Sequence, residues 1–215
     1  RFKSLVFDWD GTIMDSTSLI VHSIQNACRD LGLTVPSEGA ARHVIGLGLH
    51  PALSQLLPGV DQQQFPLVAQ RYRYHYLARD HEAPVFDGVP ELLRELRQRG
   101  HTLAVATGKS RVGLDRSLNH LGLMPLFDAT RCADETFSKP HPAMLHELMA
   151  DLVVSPEETL MIGDTTHDLD MAINASVAGL AVAYGAHPTE QLRSRAPLEV
   201  VDSVSTLTAW LYANA

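Results

Sequence analysis

A short apolar run, Leu5-Val6-Phe7, ends on the pentapeptide Asp8-Trp9-Asp10-Gly11-Thr12. Two carboxylates, two residues apart, thus stand where a buried strand stops and the backbone turns. Burial disfavours each ionised group and mutual repulsion adds to the penalty, so the arrangement is unfavourable unless a cation or a reaction needs both. A fold that contains this strand must bring compensating charge to its end from elsewhere in the chain.

The order of the remaining segments suggests how. Ser16 or Ser18 caps a helix whose apolar residues Leu19, Ile20, Ile24, Ala27, Cys28 and Leu31 recur near a 3.6-residue period, and Gly32 stops it. Pro36, Pro51 and Pro58 punctuate further short helices, and Phe65 to Leu77 forms another amphipathic one. No strand-like alternation occurs from about residue 16 to residue 84. Beyond Pro84 the texture changes. Helices are predicted over 90–98, 110–121, 141–152 and 168–177, with strands over 101–106, 129–132, 159–162, 180–184 and 198–201. A terminal helix follows, carrying Leu207, Trp210 and Leu211.

Strands alternating with crossover helices predict an α/β fold, a Rossmann-like parallel sheet with helices on both faces. The expected organisation is a discontinuous core, residues 1–15 and 86–215, interrupted by an all-helical insertion over 16–85. There is no internal repeat.

Charge and composition exclude several partners. The net charge is −8 with no basic run, which argues against nucleic acid or an anionic membrane as the main partner. No apolar stretch approaches the length needed to span a bilayer. The run at residues 5–7 leads straight into the acids and reads as a first strand, not a signal peptide. Cys28 and Cys132 lack CxxC spacing and read as two buried thiols in a reducing cytoplasm. None of the eleven histidines falls in an HExxH pattern.

In a parallel sheet, ligands collect at the carboxyl ends of the strands. After the first strand come Asp8, Asp10 and Thr12; after 101–106 come Thr107, Gly108 and Lys109. Ser138, Lys139 and Pro140 precede the 141–152 helix, and Gly163, Asp164, Thr165 and Asp168 follow the strand at 159–162. Four distant segments thereby deliver acids, a hydroxyl and an ammonium group to one edge. That set suits phosphoryl transfer through an aspartyl intermediate. A carboxylate attacking a phosphate dianion must overcome like-charge repulsion, which a divalent cation and a fixed ammonium reduce. Hard oxygen ligands suit Mg²⁺. A second carboxylate can protonate the leaving oxygen and later activate water.

Taken in order, DWDGT, ATGKS, SKPHP and GDTTHD resemble the four motifs of the haloacid dehalogenase superfamily, over essentially the whole chain. The helical insertion resembles the cap of the subgroup that includes phosphoglycolate phosphatases and β-phosphoglucomutases. The resemblance implies that Asp8 is the nucleophile and Asp10 the general acid/base, its backbone carbonyl also a metal ligand. Asp8, Asp10 and Asp164 would hold Mg²⁺, while Thr107, Gly108 and Lys139 bind the phosphoryl group. Asp168 supports Lys139 or the metal shell, and Gly11 and Thr12 shape the turn. Ile45-Gly46-Leu47-Gly48-Leu49 resembles the subgroup's specificity loop, which places Gly46 and the preceding Arg42 among the substrate-binding residues. Lys109 is expected to face solvent or the cap, His167 to be a spacer, and the tyrosines of 72–76 to pack between cap helices.

Within that family, dehalogenases and phosphonatases lack the second acid, and phosphonatases also need a cap lysine. Asp10 is present, and the only lysines are Lys3, Lys109 and Lys139, none of them in the insertion. Hydrolysis of a small phosphate monoester, with phosphoglycolate as one candidate, is the expected activity. A β-phosphoglucomutase-like phosphomutase is the alternative, and a non-catalytic phospho-ligand-binding relative a third reading. The expected partner is a small phosphorylated metabolite, bound by a cytoplasmic monomer or weak homodimer.

Overall fold

Alternation with period two sets the first strand: Leu5 and Phe7 face one side, Val6 the other, and all three are buried. The computed structural model describes residues 2–215. Six strands, β1 (Ser4–Phe7), β2 (Thr102–Thr107), β3 (Ala129–Cys132), β4 (Thr159–Gly163), β5 (Ala178–Val182) and β6 (Val200–Val201), form one parallel sheet in the order β3-β2-β1-β4-β5-β6. The strand that carries the acids is therefore central, with β2 and β4 on either side.

Between β1 and β2 lie α1 (Thr17–Asp30), α2 (Glu38–His43), α3 (Leu49–Leu56) and α4 (Phe65–Arg79), then α5 (Val89–Gln98). The remaining helices are α6 (Arg111–Leu121), α7 (Ala143–Leu152), α8 (Thr166–Asn174), α9 (Thr189–Arg193) and α10 (Val204–Asn214). Leu5 and Phe7 pack with Leu92 and Leu96 of α5, Leu114 of α6 and Leu207 of α10. Val6, on the opposite face, packs with Met144 and Leu148 of α7 and Met171 of α8. Both faces are covered, as a parallel sheet requires.

Helices α1 to α4 build apolar clusters of their own, one around Ile20, Ile24, Val44 and Leu47, another around Cys28, Leu53, Phe65 and Val68. The chain leaves and re-enters the core through two segments lying side by side. The Asp15 amide donates to the Pro84 carbonyl at 2.9 Å, and the Phe86 amide to the Ile13 carbonyl at 3.0 Å. Among the described residues no helix is long and apolar enough to cross a membrane. Cys28 and Cys132 are buried free thiols.

Several boundaries differ from expectation, each for a local reason. Helix α8 begins two residues early because the Thr165 hydroxyl caps it, accepting from the Asp168 amide, while the Asp168 carboxylate accepts from the Thr165 amide. Helix α7 begins two residues late, after Pro142. Strand β5 lies two residues earlier than 180–184, and β6 spans only two residues. Helix α9 is too short to show a period. Ser16 stands at the start of α1 but makes no side-chain cap; its hydroxyl is used elsewhere.

Candidate active site

Asp8 is the first residue past β1, and its amide still donates to Ile162 of β4 at 2.9 Å, so the ladder fixes its backbone. Its side chain is buried. Oδ1 accepts from the Trp9 amide at 2.6 Å and lies 2.8 Å from Lys139 Nζ. Oδ2 is also buried and has no hydrogen-bond partner among the described residues. Asp164, at the end of β4, accepts from the Thr12 hydroxyl at 2.9 Å and the Ala186 amide at 2.7 Å. Lys139, just before α7, is sealed between Asp8 and Asp168 and donates to Asp168 Oδ1 at 2.6 Å. Asp8, Asp164 and Asp168 each present an oxygen within 4.8 Å of the others.

Gly11 allows this convergence. Its φ of +86° suits a residue without Cβ, and a Cβ there would stand 2.1 Å from Asp164 Oδ2. The turn after β1 and the end of β4 can therefore touch.

The charges do not balance. Burial, reinforced by the Asp168 carboxylate, holds Asp8 well above the usual carboxylate range even though Lys139 pulls it down. Burial, with Asp168 again adding to it, pushes Asp164 up to about 7. Burial alone would depress Lys139, but Asp168 and Asp8 outweigh it and hold the ammonium charged. One cation thus faces three buried carboxylates, one of which has an unpartnered oxygen. An all-oxygen donor set lacking positive charge fits a hard divalent cation such as Mg²⁺.

Asp10 stands apart from the three gathered carboxylates. Its Oδ1 accepts from the Ser16 hydroxyl at 2.7 Å and lies 3.1 Å from Lys109 Nζ. Its carboxylate is not among the oxygens gathered around Asp8 and Asp164, so the metal-ligand part that the family resemblance gives Asp10 would fall to its backbone carbonyl. Thr107 is buried at the end of β2, its hydroxyl accepting from the Lys109 amide at 3.1 Å.

The insertion completes the site. Gly46, with φ +92°, is close enough that a Cβ would lie 3.9 Å from Asp8 Oδ2. A Cβ on Gly108 would come within 2.4 Å of the Leu47 carbonyl and 2.6 Å of the Gly46 carbonyl. Backbone meets backbone there, with no flexible side chain to give way. Gly108→Ala is expected to push the 46–47 loop off the core and lower kcat/KM by about 10- to 100-fold. The melting temperature should fall by only a few degrees, since no core side chain is disturbed. Steady-state kinetics beside a thermal melt measure both, and unchanged kinetics would show that this contact does not position the site.

A cavity of about 930 Å³ runs from Asp10, Gly46 and Gly108 between the insertion and the core. Arg42 does not line it, contrary to expectation. Its guanidinium pairs with Glu38 one turn away at 3.0 Å, because residues four apart share a helix face and that face looks outward. His167 is not a spacer. Its Nε2 donates to the His43 carbonyl of the insertion at 2.7 Å, and Nε2 of His187 donates to the same oxygen at 3.0 Å. Nδ1 of His187 accepts from the Thr166 amide at 3.0 Å, so the ring is neutral, and burial pushes it down to about 4.

Lys109 reaches the insertion and Asp10 together: its ammonium lies 3.1 Å from the Asp10 carboxylate and donates to the Tyr76 hydroxyl at 2.9 Å. The contact with Tyr76 is the cap-facing position expected of Lys109, whereas its pairing with Asp10 is not among the sequence expectations. Its rarity in a three-lysine chain and its place two residues after Thr107 were the available signals.

Comparison with known proteins agrees with this geometry. Residues 5–182 match the family model described as haloacid dehalogenase-like hydrolase. The chain is 38% identical to a protein of Dickeya dadantii described as the probable phosphatase IndB, over 97% of this chain and 93% of that one. It is 32% identical to a 5'-nucleotidase of Pseudomonas aeruginosa, over 96% and 94% of the two chains. Among solved structures, one from Clostridium acetobutylicum described as a predicted phosphatase superposes with a TM-score of 0.87 at 26% identity, covering 99% of each chain.

Proposed function

Since the chain belongs to the haloacid dehalogenase-like hydrolase family, we propose that it is a Mg²⁺-dependent phosphatase cleaving phosphate monoesters through an aspartyl-phosphate on Asp8. The observation that carries the reading is the wholly buried Lys139 joining Asp8 to Asp168, beside an Asp8 oxygen with no partner. Such a group is costly to bury unless a further cation and an anionic substrate complete it.

Asp8 attacks phosphorus, and the ester oxygen leaves with a proton supplied by the Asp10 carboxyl. Lys139 and the Thr107 hydroxyl hold the phosphoryl oxygens throughout. Asp10, now a carboxylate, takes a proton from the water that attacks the aspartyl-phosphate. Orthophosphate departs, and Asp8 and protonated Asp10 are restored. Asp8, Asp164 and the Asp10 carbonyl would hold Mg²⁺, which when bound would neutralise part of the negative charge that opposes attack. The helical insertion acts as a cap, moving about the paired segments at 15–18 and 82–86 to shed and admit water. The substrate is a small phosphorylated metabolite, phosphoglycolate being the smallest candidate.

The direct test is orthophosphate release from p-nitrophenyl phosphate with Mg²⁺ and with EDTA, and activity that survives EDTA unchanged would overturn the metal assignment. Following β-glucose 1-phosphate by ³¹P NMR separates hydrolysis from transfer between sugar hydroxyls. A second readout needs no turnover. The Asp164 carboxyl titrates near 7 in the fold against 3.8 ordinarily, so the folded state holds its proton more tightly. The stability this contributes is full below about pH 4 and is lost as pH rises through about 7. Mg²⁺ competes with that proton, so the rise in Tm it produces should grow from about pH 5.5 to about pH 8. A Mg²⁺-induced shift independent of pH would place the ion elsewhere.

A further inference from the structure

We propose that the preferred ester is that of an uncharged alcohol bearing a flat ring, a nucleoside or arylalkyl alcohol, and that 2-phosphoglycolate is a poor substrate beside it. This deepens the phosphatase reading above and rests on it. The cavity leading from Asp10 is about 930 Å³, at the upper end of what encloses a drug-sized molecule and far more than a two-carbon acid can fill. Its walls include Ile20, Val44 and Leu47 of the insertion and the rings of Tyr72 and Tyr76.

Those tyrosines stand one turn apart on α4 and share a face, their ring centroids 5.8 Å apart and tilted by 33°. The Tyr76 hydroxyl is anchored by Lys109, whose ammonium also sits 4.7 Å from the Tyr76 ring centroid and 3.1 Å from Asp10. The aromatic wall therefore starts one ion pair away from the acid that protonates the leaving oxygen. An alcohol leaving beside Asp10 must extend along it.

Two of the three lysine and arginine side chains lining the cavity are already paired. Lys109 is held by Asp10, and Arg116 by Asp80 at 3.0 Å. Arg42 is turned outward to Glu38. Arg73 makes no ion pair among the described residues and is exposed. A substrate carboxylate drawn against these apolar walls would lose water without gaining a buried cation, which is unfavourable. A neutral ring gains contact area and offset stacking instead.

The test compares kcat/KM for four esters of primary alcohols: uridine 5′-monophosphate, benzyl phosphate, 2-phosphoglycolate and glucose 6-phosphate. The two esters with flat rings, uridine 5′-monophosphate and benzyl phosphate, are expected to exceed the other two by about 10-fold or more. Tyr72→Leu should lower that ratio by about 5- to 100-fold, whereas Tyr72→Phe, which keeps the ring, should hold it within about twofold. Phosphoglycolate or glucose 6-phosphate cleaved as fast as the flat-ring esters would overturn the proposal while leaving the phosphatase reading intact. So would a ratio unmoved in a folded Tyr72→Leu protein. Hydrolysis of none of the four would instead remove the phosphatase reading itself.

Discussion

Asp8→Asn is expected to give a folded protein whose turnover of p-nitrophenyl phosphate falls by at least about 10⁴-fold, the scale seen when a covalent nucleophile is removed. Asparagine nearly matches aspartate in shape, so the oxygen that accepts from the Trp9 amide can be kept. What disappears is the charge. A neutral amide does not attack phosphorus, and no neighbouring group can stand in: the Asp164 oxygens accept from Thr12 and Ala186, and those of Asp168 from Lys139 and Thr165. The melting temperature in EDTA should hold or rise, because the substitution removes one of three carboxylates that burial and repulsion disfavour. Phosphate release and a thermal melt on the same preparation read both effects. Activity within about tenfold of wild type would take Asp8 out of its role.

Lys139→Ala should produce the largest loss of stability. The ammonium is fully enclosed, 2.8 Å from Asp8 and 2.6 Å from Asp168. Removing one partner of a buried ion pair leaves uncompensated charge and costs about 3–5 kcal/mol. For a chain of this size that is a fall in Tm of about 6–20 °C. The deficit carries a pH signature. Without the ammonium that pulls it down, Asp8, which burial already holds above the usual carboxylate range, keeps its proton more tightly in the fold than in the unfolded chain, so acid relieves the variant. The gap in Tm between wild type and Lys139→Ala should therefore narrow as pH falls from about 8 to about 5. Melts across that range check it; a gap below about 2 °C at neutral pH would mean that Lys139 is not a structural partner of the acids.

These two residues were legible in the sequence for different reasons. Asp8 follows a short, continuously apolar run of the kind a buried parallel strand shows, so its place at a strand end is a local fact. Lys139 lies in no regular element, and its role came from the motif it shares with a family, not from periodicity. Gly11 also takes its role from the shared motif, and only the structure shows the reason for it, a φ of +86° and a Cβ position already filled by Asp164. Arg42 shows the limit. It precedes a glycine-rich loop that does reach the nucleophile, yet its own side chain leaves on the opposite face of α2 toward Glu38. One residue of helix phase, about 100°, separates those outcomes, and a six-residue helix has too little pattern to fix it.

Local chemistry alone thus determined the alternating strands and helices, the parallel sheet, and the acids and lysine waiting at its edge, because period and motif spacing are written in neighbouring residues. Tertiary packing decided the rest: that Asp168 and not the Asp10 carboxylate joins Asp8 and Asp164, that Lys109 bridges Asp10 to Tyr76, and that two histidines of the core hold one carbonyl of the insertion. Each depends on which faces two separately folded surfaces turn toward each other, and that orientation is set by long-range contact between segments that carry no record of it in their own order.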